Sequence, residues 1–310
     1  MKTLAPIALF VYNRPEHTQK TLEALKANQL ASKSPLIVFS DGAKNEGALH
    51  QVEKVRQYLE TINGFASVKI VKHKKNLGLA NSIISGVSEI VDQYGKIIVL
   101  EDDLLTSPYF LDYMNEGLDL YVDTPEVASV NAYMYPIEGL PDTFFLRSSD
   151  CWGWGTWKRA WKMFESDGSV LLKKIIDKNL VSVFNFGGYY PYLKMLQQQV
   201  TGENDSWAIR WAASTLVNDK LGLYPGKSFT RNIGLDGTGR HCGEVNDERY
   251  GAAVVSVSVK LKYLEPVFDN KLSIVIGQYM AKHFLPSFFH KVFARIKTII
   301  PFLKSSKKFQ

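Results

Sequence analysis

Three consecutive carboxylates, Glu101, Asp102 and Asp103, follow the apolar run at 97–100. Like charges this close repel and raise one another's pKa, so the triplet is unfavourable unless something positive sits on it. A divalent cation meets that need, because Mg²⁺ and Mn²⁺ bind one or two carboxylate oxygens together with substrate phosphates. An enzyme that must neutralise a departing diphosphate needs this arrangement. The plainer reading is a solvated acidic turn capping the helix that follows Pro108. A second acidic segment, Gly202-Glu-Asn-Asp-Ser-Trp207, precedes an apolar helical stretch at 208–217. A carboxylate there, Asp205 or in reserve Glu203, can take the proton of an attacking hydroxyl; Asp205 can equally cap the helix. Between the two, Cys151-Trp-Gly-Trp-Gly-Thr-Trp-Lys-Arg-Ala-Trp161 places four tryptophans in eleven residues. Indole faces stack on the C–H faces of sugars and also fill cores. The four-residue spacing of Trp157 and Trp161 predicts one core-facing helix side, which leaves Trp152 and Trp154 around Gly153 as the sugar platform.

Strands must end where these groups are needed. Apolar β-favouring runs fall at Ile7–Val11, 36–39, 68–71, 97–100 and 127–132. The first leads into Asn13-Arg14-Pro15, with Pro15 suited to the first position of a helix running to Leu30. The second ends in Ser40-Asp41-Gly42, before apolar positions Leu49, Val52, Val55, Leu59 and Ile62 at spacings of three and four. The third precedes Ile83, Val87, Ile90 and Val91 on a further helix. Alternating strand and helix predicts an α/β parallel sheet with right-handed crossovers. Ligands bind beyond the carboxyl ends of such strands, which selects Asn13, Arg14, Asp41 and the triplet. An Asp acceptor suits a uracil N–H, and Arg14 suits a phosphate or base edge. His73 and Lys75 precede the next helix and face either the diphosphate or solvent. The absence of G-x-G-x-x-G after the first strand argues against a dinucleotide-binding dehydrogenase. Gly222-Leu-Tyr-Pro-Gly226-Lys227-Ser228 is one residue too short between its glycines for a phosphate loop.

The 310 residues carry a net charge of +6, unevenly placed. Eight Lys and Arg and no acids occupy 270–310, leaving 29 basic against 31 acidic residues elsewhere. A slightly acidic body speaks against nucleic acid, which needs a basic face. In the tail, apolar residues at 285, 288, 289, 292, 293, 296, 299, 300 and 303 predict a basic amphipathic helix for an anionic membrane surface. A helix docked on the domain is the alternative. Two cysteines, Cys151 and Cys242, form no disulfide framework or zinc pattern and suit a reducing compartment. With Pro6 and Asn-Arg-Pro in its first residues the chain lacks a signal-peptide pattern, and no apolar run approaches the roughly 18 residues of a membrane span. The expected location is cytoplasmic, peripheral on the inner face of the inner membrane, and the sequon at Asn204 is then accidental.

The segment Leu100-Glu-Asp-Asp-Leu-Leu-Thr-Ser-Pro resembles the metal-binding segment of the N-acetylglucosaminyltransferase I family. Phe10-Val-Tyr-Asn-Arg-Pro, Ser40-Asp-Gly and Asn76-Leu-Gly-Leu-Ala-Asn81 resemble the broader family 2 glycosyltransferases. Together these cover most of residues 5–245. The resemblance implies a GT-A fold with a mixed, mainly parallel sheet, a nucleotide-sugar donor, expected to be a UDP-sugar, and inversion at the anomeric carbon. It implies Asp103 as the Mn²⁺ or Mg²⁺ ligand, and Glu101 and Asp102 at donor hydroxyls. Asp41 would hold the base, with Val11, Asn13 and Arg14 completing the nucleotide pocket, and Asp205 would be the base that deprotonates the acceptor. Glycine-rich 225–243 looks like the loop that closes over the donor, with Arg240 and His241 at the diphosphate and His241 as a second metal ligand. The expected organisation is a donor half at 1–125, an acceptor half at 126–265 and the tail at 266–310. A glycan or lipid-linked acceptor in bacterial surface-polysaccharide synthesis follows from the tail; an inactive sugar-binding protein and a nucleotidyltransferase are the alternatives.

Overall fold

The computed structural model describes residues 3–237, 248–251 and 253–285. Four of the apolar runs become parallel neighbours: β1 (Ile7–Val11), β2 (Pro35–Ser40), β3 (Ser67–Lys72) and β4 (Lys96–Glu101), in the order β3-β2-β1-β4. Continuous apolar sequence marks strands covered on both faces, and every residue of β1 is buried. The edge strand β3 has no buried residue. The registers Phe10↔Phe39 and Phe10↔Glu101 bring the ends of β2 and β4 level with the end of β1.

Helices Pro15–Lys26, Glu46–Leu59 and Leu79–Tyr94 make the crossovers. Pro15 occupies the first turn of its helix as expected. Val52, Val55 and Leu59 bury one face of the second helix, and Ile83, Val87, Ile90 and Val91 one face of the third. Gly95 ends the third helix at φ +79°, a left-handed conformation that favours glycine, and turns the chain into β4.

The second half extends the same sheet. β6 (Val127–Asn131), β7 (Thr143–Leu146), β8 (Trp154–Trp157) and β9 (Leu221–Pro225) complete the order β3-β2-β1-β4-β8-β6-β9-β7, with β8 antiparallel to both neighbours and β7 antiparallel to β9. β5 (Leu104–Thr106) and β10 (Thr230–Asn232) form a separate antiparallel ribbon. The result is the expected mixed, mainly parallel sheet flanked by helices.

One local expectation changes. Trp157 and Trp161 share no helix face, because β8 carries Trp157 in the middle of the sheet. Its indole donates to the Leu118 carbonyl, whereas that of Trp161 donates to Ser88. Both are core residues, as expected. The near-phosphate-loop glycine Gly222 lies within the buried strand β9.

The start of the tail forms helix Asn270–Phe284, capped by the Asp269 side chain accepting the Leu272 N–H at 2.9 Å. Ile276 and Met280 are buried with Phe144, Phe186 and Tyr224, so this part docks on the body. Positions 286–310, with most of the expected amphipathic helix, lie outside the described residues, as do Arg240 and His241. Among the described residues no helix is long and apolar enough to cross a membrane.

Candidate active site

The carboxyl ends of β1, β2 and β4 gather Asn13, Arg14, Asp41 and the triplet. Val11 contributes backbone only: its side chain is buried, and its carbonyl accepts the Asp41 N–H at 3.1 Å. Asp41 is 5% exposed and accepts four N–H groups. Gly42 and Leu77 donate to Oδ1, each at 2.9 Å, and Asn76 Nδ2 and Gly78 donate to Oδ2 at 2.9 and 3.0 Å. These fill the roughly four acceptor directions of a carboxylate. Asp41 thereby fixes the 76–78 turn that opens helix Leu79–Tyr94. A base N–H reaching it would replace one of these donors; the Asn76 amide is the one side-chain donor among them, and it also donates to the Gly42 carbonyl at 2.8 Å. His73 turns inward, with Nδ1 buried and 3.7 Å from Asp41 Oδ1, while Lys75 is exposed. Arg56, unmarked in the sequence, ties this rim together by donating to the carbonyls of Asp41 and His73 at 3.3 and 2.7 Å.

The triplet already holds a cation. Arg14 Nη2 donates to Asp102 Oδ1 and, at 2.8 Å, to Asp103 Oδ2. Burial works against the guanidinium charge, but Asp102 and Asp103 outweigh it and raise the pKa of Arg14. Arg14 Nη1 is buried and has no hydrogen-bond partner among the described residues. Such an orphaned cationic donor is costly unless an anion completes it. Asp102 is buried, and burial raises its carboxyl pKa against the pull of Arg14 and the Tyr12 N–H. Glu101 is pushed up to about 8, first by burial and then by Asp103 and Asp102, with Arg14 and a hydrogen bond from the Trp207 side chain opposing. Among the described residues no three His, Cys, Asp or Glu side chains stand together as metal ligands. One or two carboxylate oxygens together with phosphate oxygens are the usual ligand set of Mg²⁺ or Mn²⁺.

The ribbon covers this site. β10 pairs with β5 directly after the triplet, and the Ile233 N–H donates to the Asp103 carbonyl at 2.8 Å. Gly234 packs so closely that a Cβ there would lie 2.8 Å from Arg14 Nη1 and nearer still to Asp103 Oδ2. His17 reaches over from helix Pro15–Lys26 to the Ile233 carbonyl at 3.2 Å and Asp236 at 3.1 Å.

Trp154 is a core residue, a correction to the platform expectation. It has no exposed surface and packs among Trp207, Trp161 and Trp211, with ring centroids 5.3, 5.8 and 5.9 Å away. The pleat turns its indole under the sheet, away from any ligand. Trp152 is half-buried, with its ring against Tyr133 at 4.5 Å. Asp205 is exposed and paired with Arg210 at 3.2 Å. The cap of helix Trp207–Val217 is Ser206 instead, whose Oγ accepts the Ile209 N–H. Trp207, the first residue of that helix, touches Glu101, which draws the Asp205 loop toward the triplet. Sequence reasoning missed Trp207, Gly234 and Asp150. Trp207 stood beside the acidic segment, and Asp150 immediately before the tryptophan run.

A family model described as glycosyl transferase family 2 matches residues 7–162. The chain belongs to that family. This glycosyltransferase has the GT-A arrangement expected from its sequence; its resemblance to N-acetylglucosaminyltransferase I gains no support beyond the family. No curated protein matches it. Among solved structures it is similar to a mannosyltransferase from Pyrobaculum calidifontis in complex with GDP-Man and Mn²⁺, at 11% identity over 69% of this chain and 75% of that one, TM-score 0.36. S. aureus TarS is similar at 15% identity over 45% and 24%, TM-score 0.29. Mouse xyloside xylosyltransferase 1 is similar at 12% over 51% and 68%, TM-score 0.33. The family match, and not these distant likenesses, identifies the chain.

Proposed function

We propose that the protein transfers a sugar from a nucleotide-sugar, a UDP-sugar by the Asp41 reading, to a glycan or lipid-linked acceptor with inversion. The observation that carries this is Arg14, held between Asp102 and Asp103 at the strand ends with a buried Nη1 that has no partner among the described residues. That donor suits a phosphate oxygen of the leaving diphosphate. Asn13 and the Asp41 rim form the nucleotide side, Glu101 and Asp102 meet donor hydroxyls, and Gly234 lets the ribbon lie close over Arg14 and Asp103. Asp103 would hold Mn²⁺ or Mg²⁺, which when bound supplies further positive charge at the diphosphate. Asp205, positioned by Arg210, takes the acceptor proton while that oxygen bonds to the anomeric carbon and the bond to the diphosphate breaks. Arg240 and His241 are proposed to assist the leaving group. The basic tail supports an acceptor held at an anionic membrane surface, as in surface-polysaccharide assembly.

The test is nucleoside diphosphate release from a panel of nucleotide-sugars with Mn²⁺ or Mg²⁺. Asp103→Ala is expected to abolish metal-dependent release, and Asp205→Asn to lower transfer by at least 10²-fold, the lower end of what a general base supplies. Full metal-dependent release in Asp103→Ala would remove the metal assignment, and normal transfer in Asp205→Asn would place the base elsewhere. Pyrophosphate as product would mark a nucleotidyltransferase.

A further inference from the structure

The mechanism gives Asp150 no task, although its position is elaborately fixed. Its N–H donates to Asn131 Oδ1 at 3.0 Å, and its Oδ1 accepts the Trp152 N–H at 2.7 Å. Asn131 has no exposed surface and is itself tied to Ser129 Oγ and the Leu223 carbonyl. Tyrosines from three separate parts of the chain converge on the carboxylate: Tyr133 and Tyr135 beyond β6, Tyr192 at the start of helix Tyr192–Val200, and Tyr224 in β9. They line, with Asp150, a cavity of about 20 Å³.

The polar groups there are only partly used. Tyr133 donates to the Tyr250 carbonyl at 3.1 Å, and Tyr224 bonds Ser148. Tyr135 and Tyr192 bring two further hydroxyl-bearing side chains to the cavity wall. Asp150 takes backbone N–H groups from Trp152 and Cys151, leaving acceptor capacity on its carboxylate. Burial pushes Asp150 up to about 6, and no cationic side chain among the described residues opposes it. Retaining such a carboxylate costs stability, as groups kept for binding do. The neighbouring Cys151 thiol is raised by burial, then by Asp150, Glu101 and Asp103.

We propose that Asp150, Tyr135 and Tyr192 bind the acceptor, gripping one hydroxyl-bearing arm of a neutral saccharide whose ring lies outside the cavity against the half-buried Trp152. The inference deepens the glycosyl-transfer reading and rests on it. A cavity this size holds about one water-sized group, which suits a hydroxyl arm and excludes a ring. The carboxylate accepts sugar hydroxyls, the two tyrosine hydroxyls donate or accept, and a negative site without a cation rejects uronic acids and phosphorylated sugars.

The experiment is saturation-transfer-difference NMR on the full chain with methyl glycosides of glucose, galactose, mannose and N-acetylglucosamine, and with glucuronic acid as the charged control. At least one neutral glycoside is expected to bind at pH 7, about tenfold more weakly at pH 5, and at least tenfold more weakly to Asp150→Asn and to Tyr135→Phe/Tyr192→Phe. Burial holds Tyr133, Tyr135, Tyr192, Tyr224 and the Cys151 thiol above their usual ranges, and Glu101 is raised to about 8, so Asp150 is the group that titrates between pH 5 and 7 among the described residues lining the cavity; His283, on the helix packed against it, stacks on Tyr279 and does not line it. No binding by any neutral glycoside, binding indifferent to Asp150→Asn, or preference for glucuronic acid overturns the proposal. The readout involves no turnover. An intact, pH-dependent glycoside signal in a protein that releases no nucleotide would therefore count against glycosyl transfer and leave the pocket standing.

Discussion

Asp150→Asn is expected to make the protein more stable at neutral pH. In the fold the carboxyl titrates at about 6, against 3.8 for the free side chain. At about 1.4 kcal/mol per pKa unit, ionising it in the folded state costs about 3 kcal/mol. The direction follows from linkage. The folded state binds this proton more tightly than the unfolded chain, so the favourable contribution is complete below pH 4, declines as pH rises through 6, and is gone above it. Asparagine keeps the acceptor for Trp152 N–H and carries no charge, so it escapes the decline. The difference between variant and wild type should therefore be near zero at pH 4, grow by about 1.4 kcal/mol per unit, and level off near 3 kcal/mol at pH 7. At roughly 2 °C per kcal/mol for a chain of this size, the variant's Tm at pH 7 should exceed wild type by about 6 °C. Thermal denaturation of both proteins followed by circular dichroism from pH 4 to 8 measures it. A difference that does not change with pH, or a variant less stable than wild type at pH 7, would refute the reasoning about the buried carboxylate.

Gly234→Ala is expected to lower nucleotide release at least tenfold while leaving Tm within about 2 °C, because the new methyl meets Arg14 and Asp103 rather than the core; wild-type release would show that the ribbon yields freely. Trp154→Ala should cost about 3–5 kcal/mol in urea denaturation, the usual loss for a large buried aromatic. A folded, equally stable variant that loses glycoside binding would return Trp154 to the role of a sugar platform.

The donor half was legible because its strands are continuous apolar runs and its helices repeat at three and four. The ends of β1, β2 and β4 could then be read as the site from the polar residues that follow each run. The second half was less legible because β8 and β9 contain glycine and proline, which disfavour strands in isolation. In β8, Gly155 is there for close approach: a Cβ would lie 2.9 Å from the Ile97 carbonyl of β4. The strand at Trp154–Trp157, where the sequence suggested a glycine-flanked platform and then a helix, is what puts Trp154 in the core. The triplet was visible as three charges, but its partner was not. Arg14 lies 88 residues from Asp102, and only the β1–β4 register brings them together. Asp150 gave no signal of spacing, because its tyrosines come from three separate parts of the chain.

Arg14 shared between two carboxylates makes the pocket a place of exchange rather than of charge accumulation. If, as proposed, a diphosphate arrives with a divalent cation, the two are nearly neutral as a pair: Arg14 would pass from carboxylate to phosphate while a carboxylate passes from arginine to the cation, and the net charge inside the site would not change. Such a swap replaces contacts of similar strength in a low-dielectric setting, so donor entry and nucleotide departure need not pass through a state with a bare buried charge.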